Sequence, residues 1–83
     1  MISVVITSPE KSVTNACENI SAFMQGGCVK IMPNHENISG LLKDDTIELE
    51  TKDKKISKFN VSDATLFLKN NICNIVCSNF QAL

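Results

Sequence analysis

Short segments in which apolar and polar residues alternate are the dominant feature of this 83-residue chain. Thr46–Glu50 alternates strictly, and Ile56–Val61 returns after the polar turn Lys52–Lys55. A period of two places successive side chains on opposite faces of a strand. The pattern therefore predicts a hairpin, opened by Asp44-Asp45, that buries one face and leaves the other in water.

The first 24 residues predict three more strands. Ile2–Thr7 is an apolar, β-branched run that Ser8-Pro9-Glu10 ends, and further runs follow at Lys11–Glu18 and Asn19–Met24. Such runs, bounded by turn residues, are typical of strands. The inward-facing side chains expected in the last two strands are Val13, Ala16, Ile20 and Ala22.

The segment between Gly26 and His35 is the most distinctive stretch of the chain. A hairpin turn at Gln25-Gly26-Gly27 leads into the apolar run Cys28–Met32, which ends at Pro33-Asn34-His35. Glycine reaches backbone angles closed to other residues, proline removes a ladder donor, and asparagine tolerates the left-handed region. These residues predict a strand held between two turns.

The segment His35–Leu42 is ambiguous. Ile38, Leu41 and Leu42 would suit one face of a helical turn, whereas Gly40 and the flanking turns favour a strand or irregular structure. Both readings stay open at this stage.

The last third of the chain predicts the most apolar hairpin. Ser62-Asp63-Ala64 breaks the pattern, Thr65–Lys69 and Ile72–Cys77 are strand-like, and Asn70-Asn71 forms the turn between them. Phe80 and Leu83 are expected beyond the last strand, frayed or covering an open end. The core residues expected in this region are Phe67, Ile72, Ile75, Val76 and Phe80.

Eight to ten short strands at regular spacing, separated by turn residues, predict an all-β fold. We expect a small antiparallel flattened β-sandwich or barrel that forms a single domain over residues 1–83. The net charge is −1, with lysines interspersed among acidic residues, which makes nucleic acid an unfavourable partner. With no basic leader and no apolar run of about 18 residues, we expect a cytoplasmic chain or one peripheral to a membrane.

Catalytic chemistry is not indicated. The chain has no glycine-rich phosphate loop and no nucleophile with an evident base, and His35 stands alone. The sequence therefore predicts neither an enzyme nor a cofactor. The cysteines lack metal-ligand spacing, so we expect free thiols that pack as small hydrophobic residues; they are Cys17, Cys28, Cys73 and Cys77.

Gly27–His35 resembles the Gly-x-x-Gly-Ile-Leu-Pro-Gly-His motif of the epsilon subunit of F-type ATP synthases, called delta in mitochondria. In register with it, Ile6–Glu10 resembles the family's opening Val-Thr-Pro-Glu, and Val61–Ala64 stands where the family has Val-Ser-Gly-Gly. Order and spacing agree over nearly the whole chain.

Four departures from the family's motifs bear on the turns. Lys30 and Asn34 replace motif glycines, Glu36-Asn37 replaces Ala-Pro, and Asp63-Ala64 replaces Gly-Gly. Asn34 and Asp63 can adopt the left-handed region at modest cost. We therefore expect both of these turns to be retained.

The resemblance implies the family's ten-stranded β-sandwich and a non-catalytic rotor subunit of the central stalk. It would link the gamma subunit to the c-ring during proton-driven ATP synthesis, as a peripheral subunit on the cytoplasmic face of a bacterial inner membrane. Because the family's inhibitory helical hairpin would begin where this sequence ends, the resemblance implies a rotor component without that arm. The isolated chain is expected to be monomeric.

The resemblance also implies where partners bind. It places the contact with the polar loops of the c-ring at Gly27, Cys28, Val29 and Lys30. It places the contact with gamma near His35, Asn37, Ile38 and Ser39. A glycine-rich turn permits close backbone approach, and Ile38 with Leu41 or Leu42 would supply an apolar patch.

Two other functions remain open on the sequence. One is a small metal- or thiol-binding module that uses Cys17, Cys28, His35 and one of Cys73 or Cys77. The other is a generic β-sandwich adaptor with a different partner.

Overall fold

The computed structural model describes residues 1–24, 26–43 and 45–83, with the side chain of residue 45 left aside. Gln25, from the predicted Gly-Gly turn, and Asp44, expected to open the central hairpin, lie outside them. Within the described residues no helix is long and apolar enough to span a bilayer. The elements are ten strands: β1 Ile2–Thr7, β2 Ser12–Cys17, β3 Asn19–Met24, β4 Gly27–Ile31, β5 Ile38–Leu41, β6 Asp45–Glu50, β7 Ile56–Ser62, β8 Thr65–Lys69, β9 Ile72–Val76 and β10 Asn79–Ala82.

The strands form two five-stranded sheets that pack face to face. Sheet A has the order β2-β1-β9-β8-β5 and sheet B the order β10-β7-β6-β3-β4. The predicted sandwich of short strands is confirmed, and residues 38–41 form a strand rather than a helical turn. Both sheets are predominantly antiparallel; β1 and β9 form one parallel pair, with Val4 beside Cys73.

The core lies between the sheets and is filled by alternate residues of each strand. In the described part of the chain no polar or charged side chain is buried. Full burial of such an apolar side chain contributes about 1.5–3 kcal/mol. The side chains with less than two per cent exposure are Ile2, Val4, Ile6, Ile20, Ala22, Ile31, Ile47, Leu49, Val61, Leu66, Cys73 and Ile75.

The C-terminal segment is ordered within sheet B. Phe80, expected to lie beyond the last strand, belongs to β10, where it pairs with Val61 of β7. Its buried ring meets Phe59 edge to face, with the ring centroids 6.4 Å apart. This segment therefore forms the edge of sheet B instead of fraying.

The predicted core of the last hairpin is only partly correct. Ile75 and Phe80 are buried, but Phe67, Ile72 and Val76 are each about half exposed. The reason is the period of two, because Leu66, Leu68, Cys73 and Ile75 already occupy the inner face of β8 and β9. Ala16 is exposed for the same reason, since it lies an odd number of residues from the inward-facing Val13.

Left-handed backbone occurs at the turns where the sequence predicts it. Asn34 has φ 64° and Asp63 has φ 52°, so both replace a motif glycine without losing its conformation. Asn70 and Asn71, with φ 51° and 63°, form the two-residue turn between β8 and β9. Consecutive positive φ values match the twist of the flanking strands in such hairpins.

Candidate functional site

The residues expected to contact the c-ring lie on β4, an edge strand of sheet B at the side opposite β10. Gly27 begins the strand with φ 132°. Cys28 and Lys30 are exposed on its outer face, whereas Val29 is partly buried and packs against the core. Three of the four residues are therefore open to a partner, and Val29 supports them from inside.

Lys30 faces a shallow depression on the outer surface of sheet B. It lies opposite Ser21 of β3. The depression is lined by Asn19, Ser21, Lys30, Glu48, Glu50 and Ile56. Asn19 Nδ2 donates a hydrogen bond of 2.7 Å to Glu50 Oε1, which fixes one wall of it. The local charge at this end of β4 is therefore mixed.

The residues expected to contact gamma begin in the loop before β5. The His35 backbone N–H donates to the Met32 carbonyl at 3.2 Å, closing the Pro33-Asn34 turn. Its Nδ1 lies 2.7 Å from the Glu36 carbonyl oxygen, which can only accept, so Nδ1 carries the proton. His35 is thus a turn residue with a local partner, which suits a positioning role.

The apolar patch expected around Ile38 takes a different form in the structure. Ile38 is partly buried and packs against the core, and Leu42 is buried. Leu41, with 63% exposure, is the member of the three that reaches the surface. Ser39 points to the same outer face as Leu41, since the two lie two residues apart on β5.

Four asparagines, which we call the asparagine cluster, join the β4–β5 loop to the β8–β9 turn. The Asn34 N–H donates to Asn71 Oδ1 at 2.7 Å, and Asn71 Nδ2 donates back to Asn34 Oδ1 at 3.1 Å. The Asn70 N–H donates to Asn37 Oδ1 at 3.2 Å. The loop that carries His35 is therefore attached to sheet A at two points.

The two predicted contact regions begin at opposite ends of the sandwich. At one end, Gly27 pairs with Met24, and Met24 forms a β-bridge with Leu42. The Leu42 N–H in turn donates a hydrogen bond of 2.8 Å to the Ala64 carbonyl. The loop containing Asn37 lies at the other end, beside the turn between β8 and β9. Strand β4 runs from the first region to the second.

The outer faces of the two sheets differ in chemistry. That of sheet B carries the charged side chains Lys30, Glu48, Glu50 and Lys58. That of sheet A exposes Leu41, Phe67, Ile72 and Val76. Sequence reasoning missed this second surface, because β8 and β9 carry large apolar residues at both odd and even positions.

Comparison with protein families identifies the fold. The model of the ATP synthase delta/epsilon chain beta-sandwich domain matches residues 1–82. The chain belongs to this family. Comparison with curated protein sequences finds no match.

Solved structures of ATP synthases contain chains with a similar fold. One is from the Euglena gracilis mitochondrial ATP synthase, OSCP/F1/c-ring in rotational state 1, with a TM-score of 0.90 and 14% identity over 98% of this chain. Another is from the Tetrahymena thermophila mitochondrial ATP synthase central stalk and c-ring, with a TM-score of 0.78 and 15% identity over 96% of this chain. The matches span 52% and 65% of those two chains.

The thiols of this delta/epsilon domain occupy two environments. Cys17, Cys73 and Cys77 are buried, whereas Cys28 is exposed on the outer face of sheet B. Burial, with a smaller effect of nearby Cys17, raises the pKa of Cys73 to about 12. Over residues 1–24, 26–43 and 45–83, no three His, Cys, Asp or Glu side chains are placed to hold a metal ion. The ligand set of the metal-module alternative is therefore not assembled.

Cys28 is expected to be the one rapidly reactive thiol of the native chain. A thiolate is the reacting species, and burial keeps the other three protonated and shielded. Titration with DTNB at pH 8 should release one equivalent quickly and the remainder only in denaturant. Cys28→Ser should abolish the fast phase, and a second fast equivalent in the native protein would contradict this arrangement.

Proposed function

We propose that this chain is a non-catalytic central-stalk subunit of a proton-translocating F-type ATP synthase. It links the gamma subunit to the c-ring so that the two rotate as one body, and it lies on the F1 side of the membrane as a peripheral subunit. The family match over residues 1–82 carries this proposal. The domain itself requires no cofactor in this role.

The geometry supports a mechanical link. The two predicted contact regions begin at opposite ends of the sandwich, and two five-stranded sheets with a continuous apolar core lie behind them. Close-packed cores have low compressibility and transmit strain. A rigid domain of this kind can transmit torque between two partners without changing its own conformation.

The proposed c-ring contact includes exposed backbone at Gly27. Gly27 has φ 132°, and a Cβ built there meets no atom within 4 Å, so the space in front of it is available to a partner. Lys30 adds one positive charge near the mixed charges of the depression. Exposed ion pairs contribute only about 0–1 kcal/mol each, so backbone approach and shape are the larger contributions.

The proposed gamma contact uses the loop attached by the asparagine cluster. His35 and Asn37 are held by hydrogen bonds before any partner arrives, and Ser39 presents its side chain on the adjoining strand. Ordering a loop in advance reduces the entropy cost of association. Ile38 packs against the core and also lines the shallow depression beside Asn37 and Ser39.

Reconstitution with the gamma subunit and c-ring of the same organism tests this function. We expect a one-to-one complex with gamma at micromolar concentration and capture of the c-ring by that complex. Lys30→Glu should weaken c-ring capture about three- to tenfold by reversing a charge at the interface. Lys58→Glu, on the outer face of the same sheet but on β7, is the matched control.

Two results would contradict the proposal. One is a folded wild-type chain that binds neither gamma nor the assembled gamma and c-ring. The other is equal loss of c-ring capture by Lys30→Glu and Lys58→Glu, which would indicate a general charge effect and no contact at β4.

A further inference from the structure

Strand β2 is the least protected edge of the sandwich. The described part of the chain places β2 and β5 at the edges of sheet A, and β4 and β10 at the edges of sheet B. Proteins protect such edges with very short strands, charged side chains, proline or bulges. β5 and β10 have four residues each, and β4 carries Lys30. β2 has six residues in unbroken register with β1, and none of them is charged or proline.

The backbone of β1 shows which of its residues bond to β2. The Ser3 N–H donates to the Asn71 carbonyl, and the Thr7 carbonyl accepts from the Cys77 N–H. Asn71 and Cys77 flank β9, so the odd-numbered residues of β1 point toward β9. Successive residues of a strand direct their backbone groups to opposite sides, so the even-numbered residues of β1 bond to β2.

The free backbone groups of β2 follow from this register. The even-numbered residues of β1 lie opposite the odd-numbered residues of β2, which are Val13, Asn15 and Cys17. The other three residues therefore direct their N–H and C=O groups out of sheet A, on a side where the described residues place no strand; they are Ser12, Thr14 and Ala16. A row of unpaired backbone groups is a template for a further strand.

We propose that two copies of this chain associate through β2, with the two strands antiparallel about a twofold axis at Thr14. This axis sets Thr14 opposite Thr14 of the second copy and Ser12 opposite Ala16. These are the residues whose backbone groups are free, and each such pair exchanges two hydrogen bonds, which gives about six in all. The two A sheets then join into one continuous sheet.

The side chains of β2 favour a second copy as the occupant. Ser12, Thr14 and Ala16 are small and exposed on the outer face, so a second backbone can approach to strand spacing. Threonine opposite threonine is a favourable cross-strand pair. No like charges oppose each other within the paired strands, and both signs of charge meet at each end, because Glu10-Lys11 precedes β2 and Glu18 follows it.

The size of the contact predicts a weak dimer. Six residues of strand are about 20 Å long. The shortest extent of the molecule is 20 Å, so the side of the sandwich at β2 offers roughly 400 Å². A stable, specific interface buries about 800 Å² per partner. We therefore expect a monomer at low micromolar concentration and a dimer only between about 0.1 and 1 mM.

Charges introduced at the twofold axis test the pairing by sedimentation equilibrium. Thr14→Lys sets two like charges directly opposite each other, so association should weaken at least tenfold, and Thr14→Glu should do the same. An equimolar mixture of the two variants should restore the dimer, because opposite charges then face each other. Thr14 is exposed, so all of these chains should remain folded by circular dichroism. Thr65→Lys adds the same charge on β8, inside sheet A, and should leave the dimer unchanged.

Four results would overturn the proposal. One is a wild-type chain that is monomeric at about 1 mM. A second is a dimer that Thr14→Lys and Thr14→Glu leave intact, and a third is a mixture of these variants that associates no better than either alone. The fourth is equal weakening by Thr65→Lys, which would indicate a general charge effect. The test uses this chain alone, so the proposed stalk function stands or fails separately, by binding to gamma.

Discussion

Replacing Ile75 by alanine is expected to lower the free energy of unfolding by about 3–4 kcal/mol. Ile75 is fully buried on β9, which lies between β1 and β8 in sheet A. The substitution removes three methylene-sized groups and leaves a cavity that rigid neighbouring strands cannot close. A small domain has about 5–10 kcal/mol of stability in all, so the variant should be close to unfolding at 37 °C.

The adjacent residue gives the control for this experiment. Val76 lies on the same strand but faces solvent with 51% exposure. Val76→Ala should therefore lower the free energy of unfolding by less than about 1 kcal/mol. Urea unfolding followed by circular dichroism measures both free energies. Equal losses for Ile75→Ala and Val76→Ala would show that the inward and outward faces of β9 are wrongly assigned.

Asn71→Ala is expected to lower the free energy of unfolding by about 2–3 kcal/mol, because Asn71 both accepts a left-handed backbone and makes hydrogen bonds. Asn71 adopts φ 63°, which alanine tolerates poorly. Its amide also accepts from the Asn34 N–H and donates to Asn34 Oδ1. The substitution therefore strains the turn and detaches the β4–β5 loop from it.

Two glycine variants separate these contributions. Asn71→Gly avoids the backbone strain but still loses the hydrogen bonds, so we expect the free energy of unfolding to fall by about 1–2 kcal/mol. Asn70→Gly keeps the backbone N–H that donates to Asn37 Oδ1 and should change stability by less than about 0.5 kcal/mol. Urea unfolding of the three variants gives the values, and an Asn70→Gly loss as large as that of Asn71→Gly would contradict the cluster.

The central hairpin shows what alternation alone can predict. Ile47 and Leu49 are buried on β6, and Glu48 between them faces outward, as the period of two requires. The left-handed turns at Asn34 and Asp63 were equally predictable, because few residues other than glycine accept that conformation. Local stereochemistry determines both features.

Strands β8 and β9 show where the prediction failed. Their sequences have large apolar residues at both odd and even positions, and hydrophobicity by itself does not say whether the odd or the even set faces the core. A two-layer sandwich buries one face of each strand, so Leu66 and Ile75 became core while Phe67 and Val76 remained outside. The error matters for the surface, since the misassigned residues form the apolar part of the outer face of sheet A.

The predicted contact sites came from motif resemblance, and only the structure shows their orientation. Ile38 packs against the core, so Ile38→Asp would lower the stability of the fold. A loss of binding by that variant would therefore not identify a contact residue. The hydrogen bonds between Asn34 and Asn71 join residues far apart in the sequence. No local pattern could have predicted that pairing, because it depends on the order of strands in sheet A.

The parallel pairing of β1 with β9 has a consequence for how the chain is made. Ile2–Thr7 leaves the ribosome long before its neighbour Ile72–Val76. Hairpins such as β3–β4 and β6–β7 can close as they emerge, whereas sheet A cannot be completed until β9 is available. Long-range pairing of this kind slows folding because loop-closure entropy is lost before contacts form. The nascent chain therefore carries an unpaired apolar edge on β1 while β2 to β8 are synthesised, and the arrival of β9 ends that exposure.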